Sequence, residues 1–428
     1  MIGLNFYKRK SNLLFNIFLI TIFFNICFPK AGIKVKGIPL TVGNICLGIL
    51  IISFILKTLI NNKLKLNKTS YILLFSSGYF LTRFLIVLFS SKNNFIDIFQ
   101  YIIPLVIYPI IFIIGVNIID TKEKLEKILK IIVWGFFFIA TYGLLQYILG
   151  IDTIAIPGIT VNWSDYSEFG TYWYLRKNNG VSEYSKIFST YQNGNLLGVN
   201  LILIYPIVYE YLSINKKIKM RIISLIMFIL VIFLTLSRSC WLGLVIFILS
   251  RIVLYKPRRI IECFNKILSI MLLLVGMIIM LKAFPSVLSR LTNTGLMGLI
   301  SMSGRSEGFI NIIMSTIENN SIIPIIIGPY GLYNYYGIAY EMTILAVWKV
   351  GGIIGVALWM WSIFINLRKI SYKNKVSCAA KLGVIIWFIV ALIEGAFWLP
   401  PTAINLWSVI CIIVVSNYNF DSFRGGYI

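Results

Sequence analysis

Apolar runs of about 16 to 25 residues recur from one end of this 428-residue chain to the other, and nothing else in it restricts the fold as much. A bilayer core of about 30 Å is crossed by about 20 helical residues. In lipid, only helices and closed barrels satisfy every backbone N–H and C=O. The runs are continuous rather than alternating, so they predict helices and not barrel strands. The expected fold is an all-α polytopic membrane protein, one membrane domain over residues 1–428. The runs lie at 12–29, 39–56, 69–90, 95–117, 131–149, 191–213, 222–237, 239–255, 267–285, 342–366, 376–397 and 402–418, twelve spans in all. The first follows an N-terminal stretch with no small-x-small cleavage site, and reads as a retained span rather than a removed signal peptide.

The formal charge is +24, from 39 Lys and Arg against 15 Asp and Glu. In a soluble protein this would point to nucleic acid. Here the cations form short clusters between apolar runs, at 8–10, 57–68, 122–130, 216–221, 251–266 and 368–375, as cytoplasmic loops do. No nucleic-acid partner is expected. Placing all six clusters inside requires an even number of spans between each pair, which the twelve runs provide, with both termini cytoplasmic. The outer side then receives two segments, 150–190 and 285–341, far longer than a helix connection needs. They are expected to carry function. In the second, Phe309, Ile310, Ile312, Ile313 and Ile317 stand opposite Ser306, Asn311, Ser315 and Glu318, the pattern of a helix lying on the membrane surface.

Residues 222–250 are almost wholly apolar, yet Arg238 stands at their middle. Both flanks are basic, so the run is expected to be a hairpin turning at "LSRSC" on the outer side. Each leg of about 16 residues reaches about 24 Å. Arg238 is thereby held at or below the headgroup level, where a cation faces an anion or a watery cavity, or snorkels to lipid phosphate. Arg83, midway through the third run, likewise needs an intramembrane partner. There is no histidine, which removes the usual proton shuttle. The six cysteines, Cys27, Cys46, Cys240, Cys263, Cys378 and Cys411, are scattered without a CxxC. No metal and no cofactor are expected.

Four stretches in order carry a resemblance. They are "KIFSTYQNGNLLGVNLILIYP", "LTLSRSCWLGL", "SGRSEGFINIIMSTIENNSIIPIIIGPYGLY" and "EMTILAVWKVGGIIGV". With the twelve-span layout and two long outer loops, they resemble the O-antigen ligase and O-antigen (capsular polysaccharide) polymerase family, GT-C-like glycosyltransferases of the bacterial cytoplasmic membrane. The resemblance implies an active site facing outward and a donor oligosaccharide on polyprenyl diphosphate. It also implies a chain-length regulator as partner and contact with membrane lipid. Three positions depart from the family pattern: Glu341 stands where the family has a histidine, Met342 where it has an asparagine, and Gly194 where a proline is frequent. The first departure favours polymerase over ligase, since that histidine is regarded as catalytic in ligases.

The chemistry of such a donor suggests roles. Its leaving group is a diphosphate, and preorganised cations stabilise the charge it gains on departure. Arginine suits this, because its planar fork binds phosphate bidentately and keeps its proton. Arg238 and Arg305 are the expected catalytic cations, with Lys186 and Arg176 behind them. Arg176, Lys177 and Arg290 read equally as solvated loop charge. Ser237, Asn193 and Asn195, within the motif segments, are expected to bind substrate.

A base must take the acceptor's proton. The carboxylates available are Asp97, Asp152, Asp165, Glu168, Glu183, Glu307, Glu318, Glu341 and Glu394. Glu341 is preferred, at the outer mouth of a span; its plain alternative is a helix N-terminal acid. Glu394 and Lys349 read as a structural ion pair. A single base without a carboxylate nucleophile implies inversion at the anomeric carbon. Trp163 and Trp173, with Tyr166, Phe169, Tyr172 and Tyr174, suit stacking on sugar rings, or else an aromatic interface belt. A transporter would show repeated halves with matching broken helices, and no such pairing is visible.

Overall fold

In the computed structural model the described residues are 2–35, 38–61, 63–90, 103–169, 186–254, 270–271, 322–329, 343–368, 374–392 and 400–417. Apolar runs become helices where caps permit. The clearest case is α5 (Lys122–Leu149), numbered after α1 (Ile2–Cys27), α2 (Val42–Asn61), α3 (Lys68–Ser90) and α4 (Ile110–Ile118). At its start the Thr121 side chain accepts from the Lys124 N–H, with Glu123 in the first turn. At its end Gly150, at φ 91°, lets the chain leave while its N–H still bonds to the Gln146 carbonyl.

The remaining helices are α6 (Trp163–Phe169), α7 (Gly194–Ile214), α8 (Ile218–Leu234), α9 (Arg238–Leu254), α10 (Ile323–Ile327), α11 (Thr343–Phe364), α12 (Lys375–Ala391) and α13 (Pro400–Val415). Among the described residues five helices are long and apolar enough to cross a membrane: α2, α3 (over Lys68–Phe89), α5, α7 and α11. The chain is thus mostly helical, as an all-α membrane protein is.

Two expectations need correction. The run at 95–117 is, over its described part, a π-helical turn Ile103–Ile107 followed by the nine-residue α4. Pro109 stands at the N-cap of α4 and cannot supply an N–H to a continuous ladder. The chain also contains strands: β1 (Gly32–Val35) pairs antiparallel with β2 (Ile38–Thr41), with Ile33 opposite Leu40. The run at 267–285 lies outside the described residues except for 270–271.

α7 is the axis of the bundle. It is buried from Leu196 to Leu212 and packed by α5, α8, α9, α12 and α13. Close approach rests on small residues. A Cβ on Gly383 of α12 would stand 2.3 Å from the Leu203 carbonyl oxygen of α7, and one on Gly198 of α7 would stand 2.4 Å from Cys240 Sγ of α9. α2 and α3 are peripheral, exposing Leu59, Ile60, Phe75 and Phe89.

The helix ends sort into two sets. At one, Lys65 N–H donates to Asn117 Oδ1 (2.8 Å), Thr69 Oγ1 to Asn366 Oδ1 (2.8 Å) and Asn417 Nδ2 to Ser377 Oγ (3.0 Å), while Arg251 pairs with Glu210 (3.2 Å). At the other, Gly32 N–H donates to the Gly158 carbonyl (2.9 Å), Tyr191 Oη to Ile26 O (2.8 Å) and Ile187 N–H to Leu234 O (3.2 Å). α8 and α9 form the expected hairpin, since Arg221 near the start of one and Arg251 near the end of the other both lie over the Tyr209 ring.

Arg83 finds its partners on α11 and the segment before it. Only 2 % exposed, it donates from Nε to the Val350 carbonyl (3.3 Å) and from Nη2 to the Gly328 carbonyl (3.0 Å). Gly352, at φ 60°, breaks α11 at this level, and Tyr79 Oη donates to the Gly351 carbonyl at 2.7 Å. The break turns carbonyls out of the helix, and buried donors on α3 meet them.

Candidate functional site

The segment 186–193 and the bend between α8 and α9 are distant in sequence and adjacent in space. The bend consists of Thr235, Leu236 and Ser237. Thr235 Oγ1 donates to the Ile232 carbonyl at 2.7 Å, Leu236 adopts φ 51°, and Trp241 N–H donates to the Ser237 carbonyl at 3.0 Å, which opens α9. α8 therefore starts and ends a few residues before the run at 222–237 does, which leaves room for the turn. Ser237 lies in that turn, and Arg238 is the first residue of α9. Trp241 Nε1 reaches back to the Ile232 carbonyl at 3.2 Å and ties the two legs together.

Segment 186–193 is held against this bend from the other side. Gln146, near the end of α5, accepts at Oε1 from the N–H groups of Phe188 (3.2 Å) and Ser189 (2.6 Å) and donates from Nε2 to the Ser189 carbonyl (2.8 Å). Ser189, buried and at φ 52°, donates from Oγ to the Ile139 carbonyl at 2.8 Å. Sequence reasoning missed Gln146, although a lone amide in "YGLLQYIL" near a membrane boundary is itself a signal. Gly194 seals the junction: a Cβ there would stand 2.6 Å from the Thr235 carbonyl oxygen and 3.0 Å from that of Ile187. The geometry accounts for glycine at this position. Proline suits a first helical position, but its ring has no room here.

The first turns of α7 and α9 thus lie side by side, with Cys240 Sγ 3.6 Å from the Asn195 carbonyl. Each helix start carries about half a positive charge from its aligned peptide dipoles. Arg238 is exposed at this edge and Lys186 is half-buried. Ser237 and Ser239 are buried, with their Oγ atoms 3.0 Å apart. Two adjacent helix starts with a guanidinium and an ammonium beside them form an electropositive rim suited to an anion.

The other expected site residues divide. Asn193 accepts at Oδ1 from the Leu196 N–H (2.9 Å), so that oxygen is engaged as the N-cap of α7. Asp165 is 3 % exposed and pairs with Lys30 (3.5 Å) and, more closely, with Lys34. That engagement gives it a structural role, joining the segment after α5 to the β-hairpin. Ser164 N–H donates to Asn162 Oδ1 at 3.2 Å, and Lys34 N–H donates to Ser164 Oγ at 2.9 Å. Trp163 is 53 % exposed on the same loop, and Asp152 is exposed. Arg176, Trp173, Arg305 and Glu341 lie outside the described residues, as do Asp97, Glu183, Arg290, Glu307, Glu318 and Glu394. Among the described residues no three His, Cys, Asp or Glu gather where they could hold a metal ion. No family model, no curated protein and no solved structure matches this chain.

Proposed function

We propose that this chain is a metal-independent, inverting membrane glycosyltransferase that polymerises polyprenyl-diphosphate-linked oligosaccharide repeat units of a surface polysaccharide. The observation that carries the reading is the contact between segment 186–195 and the bend at 235–238. These are two of the stretches on which the family resemblance rests, and both bring cationic groups to one edge. In this reading the twelve runs cross the bacterial cytoplasmic membrane with both termini inside, and that edge faces outward.

The donor's diphosphate lies against the starts of α7 and α9. Arg238 grips it with two parallel N–H···O contacts, and Lys186 and Arg176 add charge. Ser237 and Asn195 border the same edge. The acceptor hydroxyl oxygen attacks the anomeric carbon as the bond from that carbon to the bridging phosphate oxygen breaks. The electron pair leaves with the lipid diphosphate, where Arg238 and Arg305 meet the growing charge. The hydroxyl proton passes to Glu341, and Trp163 and Trp173 stack on sugar faces. One base and no covalent intermediate invert the anomeric centre.

The test is an acceptor assay with purified protein and a lipid-linked repeat unit. Lengthening of glycan that remains on the carrier is expected, with inverted linkage and undiminished rate in the presence of a chelator. Transfer of finished glycan to a lipid or protein acceptor off the carrier would instead make the chain a ligase. Net movement of intact lipid-linked glycan across vesicles, without bond formation, would make it a flippase. Glu341→Gln is expected to abolish turnover while donor binding persists.

A further inference from the structure

The opposite end of the bundle holds a second gathering of cations, and three of them are arranged unlike their neighbours. Lys216, Lys217 and Lys219 are exposed, as charges that only set orientation are. Arg221 is turned inward and 6 % exposed. It donates from Nη1 to Ser213 Oγ at 3.0 Å and lies 5.4 Å from the Tyr209 ring centroid. Its Nε is buried without a hydrogen-bond partner among the described residues. Arg251, in the last turn of α9, lies 4.5 Å from the centroid of the same ring and pairs with Glu210 at 3.2 Å. Lys381 of α12 is 3 % exposed. Cys378, one turn before it, lies within electrostatic reach of both Lys381 and Glu210.

Among the described residues, three cations, Arg221, Arg251 and Lys381, thus share this end with one buried carboxylate, Glu210. The nearby Glu126 is exposed and already pairs with Lys130 at 3.0 Å. A buried guanidinium N–H is costly unless an acceptor completes it. Arg221 Nε marks where a donor has been provided and left uncapped by the described residues. The place in the fold selects the anion. The cluster lies at the common end of α7, α8, α9 and α12, helices of 17 to 21 residues. For helices of that length in a bilayer, the end is the level of one leaflet's phosphates, where basic pockets between helices hold lipid headgroups.

We propose that this cluster binds the phosphate of an anionic membrane phospholipid, with Arg221 as the principal donor and Arg251 and Lys381 as supporting charge. The inference requires that these helices lie in a bilayer and does not depend on the glycosyltransferase reading, so either can fail alone.

The experiment is native mass spectrometry of the full chain in detergent, titrated with phosphatidylglycerol or with phosphatidylcholine of the same acyl chains. Phosphatidylglycerol is expected to be retained about tenfold more strongly, the scale of one charge-assisted phosphate contact. Arg221→Gln should lower its retention to that of phosphatidylcholine, Arg221→Lys should lose part of the preference, and Lys219→Ala should keep all of it. Equal retention of the two lipids by the wild type would overturn the proposal, as would an unchanged preference in Arg221→Gln. Displacement of phosphatidylglycerol by millimolar inorganic phosphate would assign the cluster to a free anion and overturn the lipid. Should Arg221→Gln not fold, an unchanged preference in Arg221→Lys overturns the proposal equally.

Discussion

The two ends of the bundle are both rich in cations but use them differently. At the end where α7 and α9 begin, the backbone does the gathering: Gln146 clamps Phe188 and Ser189, Gly194 admits the Thr235 carbonyl, and Arg238 is left exposed at the rim. At the end where α7 finishes, the side chains do it: Tyr209 is flanked by two guanidiniums, and Glu210 takes one of them. An exposed cation on a rigid turn can meet an anion that arrives and leaves. A cation folded between helices holds what it holds as part of the structure. Net charge therefore says little about use; the burial of each cation and the rigidity of its mount say more.

This contrast can be broken experimentally. The largest expected effect is on turnover. Arg238→Ala should lower the rate of chain lengthening by about 10²–10³-fold, as removal of a preorganised charge stabiliser does, while membrane insertion is kept. A rate within a few-fold of wild type would leave the two ends alike in function. Next comes the loop that borders the first end. Asp165→Ala strands Lys30 beside Lys34 and should destabilise the cap of β-hairpin and loop by about 3 kcal/mol, read as earlier proteolysis of the loop around Trp163.

Gln146→Leu removes both the acceptor and the donor that hold Ser189, and about 1–3 kcal/mol of stability should go with them. Turnover should fall with it, because segment 186–193 loses its register against the bend. Gly194→Ala should cost a similar amount, about 1–3 kcal/mol, by forcing Thr235 away. Thermal unfolding of the purified protein measures both. The smallest effect belongs to the other end: Lys219→Ala should change stability by less than about 0.5 kcal/mol and leave turnover alone.

Much of the fold was legible from local pattern. Helix existence followed from apolar run length, and the hairpin at 235–237 followed from the basic residues on both flanks of one apolar run. What was not legible was nonlocal or fell below the scale of a run. Asp165 was a candidate base until Lys30 and Lys34, some 130 residues away in sequence, were seen to enclose it. Asn193 obeys the N-cap rule before "GNLLGV", so its capping role could have been read locally. Pro104 and Pro109 were visible warnings against a single span at 95–117, outweighed there by hydrophobicity. In "GIKVKGIPLT", Ile33 and Val35 alternate with Gly32 and Lys34 and a glycine follows, a hairpin signal too short to register beside runs several times its length. The convergence of 186–195 on 235–241 was not legible, because nothing in either segment states which other one it touches.

Arg83 has a consequence for how the protein is made. Its carbonyl partners lie 245 and 267 residues further along the chain, so the ribosome delivers α3 to the membrane long before either exists. During that interval the guanidinium carries an insertion penalty of about 2.5–3.5 kcal/mol without these two carbonyls to offset it. Settlement of the third helix therefore waits on the C-terminal third of the polypeptide, and a nascent chain halted before Gly328 should hold that helix loosely in the bilayer.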